Sequence, residues 1–339
     1  MDYQDLDVIV LTYNRCQFLK TALEAICESN ATWRKTIVLN NASTDNTAEV
    51  VAAVQAEYPD RVIEMVVNDH NLGNVGNFKR AQSLASNKYT AVFHDDDAVH
   101  PEYIDRAMML MRQNPNVCMA SGGGVRGLYN VDHINWDILP NTYYYYPSNR
   151  NAFLQLIIDR PTFCCAIYKT SVYKKVQYHP ELYGKLHDIC YMFDVGMYGD
   201  LIFLHGECVR WRQHIGSDSN SLKTGPFPEE LFNIFEHIKS VYQKECAVKS
   251  IKEKIRYVLF ITLLFNFSYF LYGWGDQKRF LTWNKFKDRM QKRSIFSRKE
   301  YQMFDSIIDS ILNPTIRKCA KRCRTKCYKS YSYRVGDLP

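Results

Sequence analysis

The sequence predicts an α/β fold: a mainly parallel sheet flanked by helices, followed by a helical C-terminal appendage. Two patterns carry this reading. Four short β-branched runs alternate with three helix-like stretches between Asp7 and Asp97, and such alternation gives a parallel sheet with right-handed crossovers. Each run also ends in small polar residues: Thr12 with Asn14, Asn40 with Asn41, Asn68 with Asn71, and Asp95 to Asp97. In a parallel sheet those four ends line one edge, where open α/β sheets bind their ligands.

Taken in order, Asp7 to Leu11 (DVIVL) reads as the first buried strand. Thr12-Tyr13-Asn14-Arg15 follows, then a helix-like pattern through Phe18, Leu19, Leu23 and Ile26. The second strand, Thr36 to Leu39, runs into Asn40-Asn41-Ala42-Ser43-Thr44-Asp45-Asn46-Thr47. This is a dense cluster of turn and N-cap residues, in which Asp45 either caps the next helix or touches a ligand. That helix carries Val50, Val51 and Val54 and stops at Pro59. The third strand is Val62 to Val67. The stretch from Asn71 to Arg80 bears Gly73 and Gly76 and opens another helix, with Asn77 and Arg80 three apart on one face. The fourth strand, Tyr89 to Phe93, ends in His94-Asp95-Asp96-Asp97, with Pro101 and a further helix-like segment behind it.

Three adjacent acids repel one another. They either form a solvated turn capping the helix near Pro101 or hold a hard divalent cation, which carboxylate oxygens bind well. The surrounding edge favours the cation. Its amides and hydroxyls suit a base and ribose, while a metal and helix N-termini suit a diphosphate.

The bulk numbers set the frame. A chain of 339 residues holds one large domain with an appendage, or two domains. With 46% hydrophobic and 14% aromatic residues a sizeable core is available. Eleven cysteines without a disulfide-like framework, and no signal-peptide pattern, predict a reducing cytoplasm. The net charge of +7 is uneven: from Asp276 onward 17 basic residues face 6 acidic ones, leaving a body of net −4. A mildly acidic body with a basic tail suggests two jobs. Nucleic acid is not among the expected partners.

Four motifs occur in order: Thr-Tyr-Asn-Arg after the first strand, Asn-Ala-Ser-Thr-Asp after the second, Asn-x-Gly before the third helix, and Asp-Asp-x-x-x-Pro after the fourth strand. Together they resemble a family 2 glycosyltransferase with the Rossmann-like GT-A fold, over roughly residues 5 to 220. The resemblance implies a catalytic domain over residues 1–225, divided into a nucleotide-sugar half (1–120) and an acceptor half (121–225), with a helical, basic region over 226–339. It implies donor contacts from Thr12, Asn14, Arg15, Asn41, Asn77, Arg80, Asp95 and Asp96. Asp97 and His214 would hold Mn²⁺ or Mg²⁺. Three positions depart from the family. His94 stands where an Asp is common, although one branch shares His-Asp-Asp. Asn41 replaces the Asp that contacts uracil, and its amide can still pair with uracil N3–H and O4, or with the same edge of thymine. Phe78 replaces an Arg, which leaves Arg80 or Lys79 to serve the diphosphate.

After Gly122-Gly123-Gly124 the pattern becomes irregular. The run Tyr143 to Tyr146, with Trp136 before it, is either an acceptor surface or a hairpin of tyrosines alternating in and out. Cys164 to Tyr168 reads as a strand, and Ile189 to Tyr198 as a helix opened by His187 and Asp188. The resemblance makes Asp188 the general base, with His187 in place of the family's first acid; an N-cap role for Asp188 is the plain alternative. Val209 to Ser219, containing Arg212, His214 and Gly216-Ser217, resembles the family's closing motif, with the Gly216 to Lys223 loop closing over donor. Tyr257 to Gly275 has no charged residue in 19 positions, and is read as a buried or interfacial helix because a span would strand the basic tail outside. Cys319, Cys323 and Cys327 mark one stripe of a basic amphipathic helix.

The expected function is an inverting, metal-dependent transfer of a sugar from a nucleotide-sugar, UDP before dTDP, to a hydroxyl of a saccharide or polyprenyl-linked acceptor in surface polysaccharide synthesis. The expected place is the cytoplasm, peripheral at the inner membrane face through contacts of the basic region with anionic lipid, and an oligomer is compatible. A nucleotidyltransferase and a non-catalytic nucleotide-binding subunit are the alternatives. The first would want a glycine-rich loop after strand one, and Thr12-Tyr13-Asn14-Arg15 has no glycine.

Overall fold

The computed structural model describes residues 1–127, 135–148, 162–184, 187–212, 214, 233–234, 236–237, 240 and 332–334. The strands are β1 (Asp2–Thr12), β2 (Thr32–Asn40), β3 (Ile63–Val67), β4 (Tyr89–His94), β5 (Ala98–Val99), β6 (Val117–Gly127), β7 (Thr142–Tyr146), β8 (Ile167–Lys169), β9 (Asp200–Arg212) and β10 (Ser332–Arg334). Helices α1 (Cys16–Cys27), α2 (Thr47–Glu57), α3 (Gly73–Leu84) and α4 (Tyr103–Gln113) connect the first strands. A 3₁₀ turn at Phe163–Cys165, short helices at Thr170–Tyr173 and Pro180–Tyr183, and a helix at His187–Val195 follow.

One sheet runs in the order β10-β7-β9-β6-β8-β4-β1-β2-β3, with β5 added against β9. The pairs β1–β2, β1–β4 and β2–β3 are parallel, as the alternation predicts. From Leu6 to Thr12, β1 is buried without a break, the pattern of a parallel strand covered on both faces. Its buried Asp7 is compensated by Arg34, whose Nε donates at 2.7 Å, and by Asn87 Nδ2 at 3.2 Å. Removing Arg34 would leave an uncompensated charge in the core, which is expensive. The core is continuous under the sheet and includes Val8, Val10, Leu23, Val38, Val51, Phe93, Met108 and Ile202.

The second half departs from a simple parallel continuation. Short β8 lies antiparallel between β4 and β6, and β6 then pairs parallel with β9. Gly122-Gly123-Gly124 sits inside β6 instead of ending the regular pattern. The reason is close approach: a Cβ would meet the Cys208 side chain at Gly122, Gly206 O at Gly123, and the Trp211 ring at Gly124. The tyrosine run is not a hairpin. It is the single strand β7, antiparallel to both β9 and β10, with Tyr143 and Tyr146 buried. Cys164 lies in the 3₁₀ turn before β8, so the strand begins later than the sequence suggests.

Among the described residues, no helix is long and apolar enough to cross a membrane. Tyr257 to Gly275, the Cys319, Cys323 and Cys327 stripe, the loop from Gly216 to Lys223 and the boundary at residue 225 lie outside the described residues.

Candidate active site

The polar ends of β1, β2, β3 and β4 share one edge of the sheet, and two adjoining networks form there. The first is charged. Asp95 is buried, and its Oδ2 accepts from the Tyr13 amide at 3.2 Å. Arg15, directly after β1, donates through Nη1 to Asp95 Oδ1 at 3.1 Å and to Asp96 Oδ2 at 3.0 Å. The chain then bends into β5, which pairs with β9 through Ala98 and Arg210. This pairing delivers the end of β9 to the acids. Arg212 N donates to Asp97 Oδ1 at 3.1 Å, and Arg212 Nε to Asp96 O at 3.2 Å. His214 Nε2 lies 3.0 Å from Asp96 Oδ2. Phe18 of α1 supports this closing segment, with its ring 4.7 Å from that of His214 and 4.8 Å below the Arg212 guanidinium.

The acids feel one another. Burial, partly offset by Arg15, pushes the Asp95 carboxyl up to about 6. Burial and the charge of Asp96 push Asp97 up to about 7. Burial also acts on Asp96, but His94, Arg15 and His214 outweigh it and hold Asp96 below its ordinary value. A dication placed here would favour the ionised forms of all three. The acid cluster therefore suits a dication. Among the described residues, ligand-type atoms of His94, Asp97 and Cys164 lie within 4.8 Å of one another. Asp97 is in this trio, whereas His214 reaches Asp96.

The second network is built of amides. Asn41 Oδ1 accepts from Asn68 Nδ2 and from the Leu72 amide, both at 2.9 Å. Asn41 Nδ2 donates to Asn71 Oδ1 at 2.8 Å. Asn68 Nδ2 also reaches Asn77 Oδ1 at 3.0 Å. Asn14, at φ +49°, and Ala42, at φ +60°, make the two tight corners. Asn14 Oδ1 accepts from Thr44 N at 2.7 Å, and Ser43 Oγ accepts from Asn14 N at 2.9 Å. Asp45 straps two helix starts, accepting from Cys16 N at 2.9 Å and from Thr47 N at 3.2 Å.

Arg15, Asp95, Asp96, Asp97 and His214 thus gather in one place beside the end of β1, which closes on the buried Thr12, and Asn14, Asn41 and Asn77 belong to the adjoining amide net. Arg80 stands apart on the exposed side of α3, donating to Ser83 Oγ at 3.5 Å. Phe78 is buried in an aromatic cluster, 4.2 Å from Tyr178 and 5.5 Å from Phe163 between ring centroids. The Tyr178 hydroxyl bonds His187 Nε2, while His187 Nδ1 donates to Gly184 O at 2.6 Å. Both ring nitrogens of His187 are therefore engaged, and Nε2 is the acceptor. Asp188 is half-buried in the first turn of its helix. Sequence reasoning passed over Cys164, Phe18 and a role for His94 beyond its place in the motif. Only the His94 position, beside three acids, carried a local signal.

The sequence profile described as Glycosyl transferase family 2 matches residues 7–177. An uncharacterised glycosyltransferase of Methanocaldococcus jannaschii is 24% identical over 188 residues, which are 54% of this chain and 61% of that protein. One of Mycoplasma genitalium is 35% identical over 92 residues, covering 26% of this chain and 30% of its own. These matches span less than two thirds of either relative. Residues 1–349 of S. aureus TarS, solved with UDP-GlcNAc, superpose with a TM-score of 0.51 at 13% identity, covering 78% of this chain and 81% of that one. The likeness to TarS is one of fold, the GT-A fold. With parallel strands whose polar ends meet at three carboxylates, and with the family profile spanning half its length, the chain belongs to glycosyl transferase family 2.

Proposed function

We propose that the enzyme transfers a sugar, with inversion, from a nucleotide-sugar to an acceptor hydroxyl, and that a divalent cation held at Asp95 to Asp97 assists. The observation carrying this is the convergence of Arg15, the three acids, Arg212 and His214 at the C-terminal edge of the parallel strands. When bound, the cation neutralises charge on the departing diphosphate. Arg15 and Arg212 hold the acids and line the diphosphate's place. The amide net around Asn41 forms the base pocket, and UDP is the preferred donor nucleotide. TarS, which shares the fold, was solved with UDP-GlcNAc.

Asp188 accepts the proton of the attacking hydroxyl. Its helix is tied to the acid cluster through Tyr178, stacked 6.0 Å from Phe163, whose ring lies 6.1 Å from His94. Because His187 spends both ring nitrogens on Tyr178 and Gly184, it orients the helix start and leaves the base role to Asp188. The acceptor is a saccharide or a polyprenyl-linked saccharide. The basic region from Asp276 onward draws the enzyme to anionic lipid, with each Lys or Arg near such a surface contributing about 1 kcal/mol.

The test is calorimetric titration of the full chain with UDP- and dTDP-sugars, with Mn²⁺, with Mg²⁺ and with EDTA. Tight binding only in the presence of a cation, and turnover with one acceptor class, is expected. Equal donor affinity in EDTA would end the metal part of this reading.

A further inference from the structure

The His94, Asp97 and Cys164 trio mixes nitrogen, oxygen and sulfur donors, which is an unusual set for a hard cation. His94 ends β4, Asp97 follows in the bend to β5, and Cys164 comes from the 3₁₀ turn some seventy residues later. That turn is held firmly. Ala166 O accepts from Val92 N at 3.0 Å, and Cys165 O from Tyr103 Oη at 2.7 Å. Thr162 O accepts from Ser121 Oγ at 2.9 Å, while Thr162 Oγ1 donates to Gly122 O at 2.8 Å. So β4, α4 and β6 together present the thiol to the acids, with its sulfur within 4.8 Å of an Asp97 carboxylate oxygen.

We infer that Cys164, with His94 and Asp97, is a ligand to the catalytic cation, and that this site prefers a borderline ion such as Zn²⁺ or Co²⁺ to Mg²⁺. This rests on the proposal that a cation works at the acid cluster. The geometry is near what an ion needs. The three donor atoms lie within 4.8 Å of one another, whereas ligands on a tetrahedral zinc-like ion sit roughly 3.4–3.7 Å apart, given bond lengths of about 2.0–2.3 Å. Closing that gap takes side-chain movements of about 1 Å, well within rotamer adjustment. Three protein ligands leave a position open, as in catalytic zinc sites, and a donor phosphate oxygen can take it. On binding, the S–H proton would pass to solvent and a metal–sulfur bond would take the place of the S–H bond. Thiolate and imidazole select borderline ions, while Mg²⁺ requires near-octahedral oxygen coordination.

The experiment is anaerobic Co²⁺ titration of the full chain in a C319S/C323S/C327S background, so that the tail thiols do not contribute. A thiolate-to-cobalt charge-transfer absorption at one equivalent is expected. Cys164→Ser should abolish that absorption and lower the affinity ratio of Co²⁺ to Mg²⁺ at least tenfold. Cys16→Ser should change neither. In the unsubstituted chain, Zn²⁺ should protect Cys164 from alkylation, read peptide by peptide, and Mg²⁺ should not; this arm holds if Cys164→Ser fails to fold. Cobalt bound without a thiolate band, or a band that survives Cys164→Ser, overturns the assignment of Cys164 while leaving the cation proposal standing. No cation binding at all, with donor affinity unchanged by EDTA, removes the cation proposal itself.

Discussion

Arg15 Nη1 lies 3.0 Å from Asp96 Oδ2, and this one contact ties the end of β1 to the end of β4. The same nitrogen reaches Asp95, so a single guanidinium serves two acids that are almost out of water. Arg15→Ala leaves two crowded carboxylates facing each other. The expected cost is about 1–3 kcal/mol, the penalty of taking a charged hydrogen-bond partner from buried carboxylates that keep the Tyr13 amide and His214. Divalent cation should raise the melting temperature of the variant more than that of the parent, because it replaces the lost positive charge. Thermal unfolding with and without Mn²⁺ checks this, and an equal cation effect in the two proteins counts against it.

His187 and Asp188 separate by what each touches. Asp188→Asn should reduce transfer by about 10² to 10⁴ while donor and cation affinities stay close to the parent's. His187→Ala strands the Tyr178 hydroxyl and the Gly184 carbonyl, so its main effect should be on stability, about 1–3 kcal/mol. Steady-state rates set beside donor affinity and chemical unfolding distinguish the two. A large rate loss for His187→Ala at normal stability would move the base to His187.

Asn68 is the junction of the amide net, with Nδ2 donating to both Asn41 and Asn77. Asn68→Ala removes a donor from each, and Asn41 is then free to turn its amide. Nucleotide affinity should fall about tenfold, the size of one hydrogen bond to a buried group, and discrimination between uracil and other bases should narrow. Asn68→Asp keeps the size but not the donors and should fare no better. Calorimetry with UDP, dTDP and GDP reads both effects.

Gly123 has Gly206 O where its Cβ would be. Since that atom is backbone, it has little room to yield. Gly123→Ala should cost about 1–3 kcal/mol, the usual range for overpacking, and should loosen the end of β9 that carries Arg212 and leads to His214. Weaker donor binding together with a lower melting temperature is expected. An unchanged melting temperature would show that β6 and β9 can part without loss.

Local chemistry made the first half legible. The runs Asp7 to Leu11 and Thr36 to Leu39 are short and β-branched, each helix start is marked by polar turn residues, and Asp95 to Asp97 stand together in the chain. A parallel sheet turns such a series into one edge without further information, so Arg15 and the three acids could be placed together from order alone. The second half depends on pairings that no short window contains. The triple glycine reads as a break until β9 comes against it, and Cys164 looks like a strand residue until β4, α4 and β6 fix its turn. Asn41 is visible as a polar strand end and Asn77 as a helix-face partner of Arg80, but that Asn41 and Asn77 share Asn68, while Arg80 faces outward, follows from how α3 packs. The sequence alone determined the fold class, the polar edge and the acids, because those follow from periodicity and turn chemistry. Only the tertiary structure decided that His214 meets Asp96 and that Cys164 meets Asp97, because those contacts join residues far apart in the chain through the β5–β9 pairing and the anchored turn.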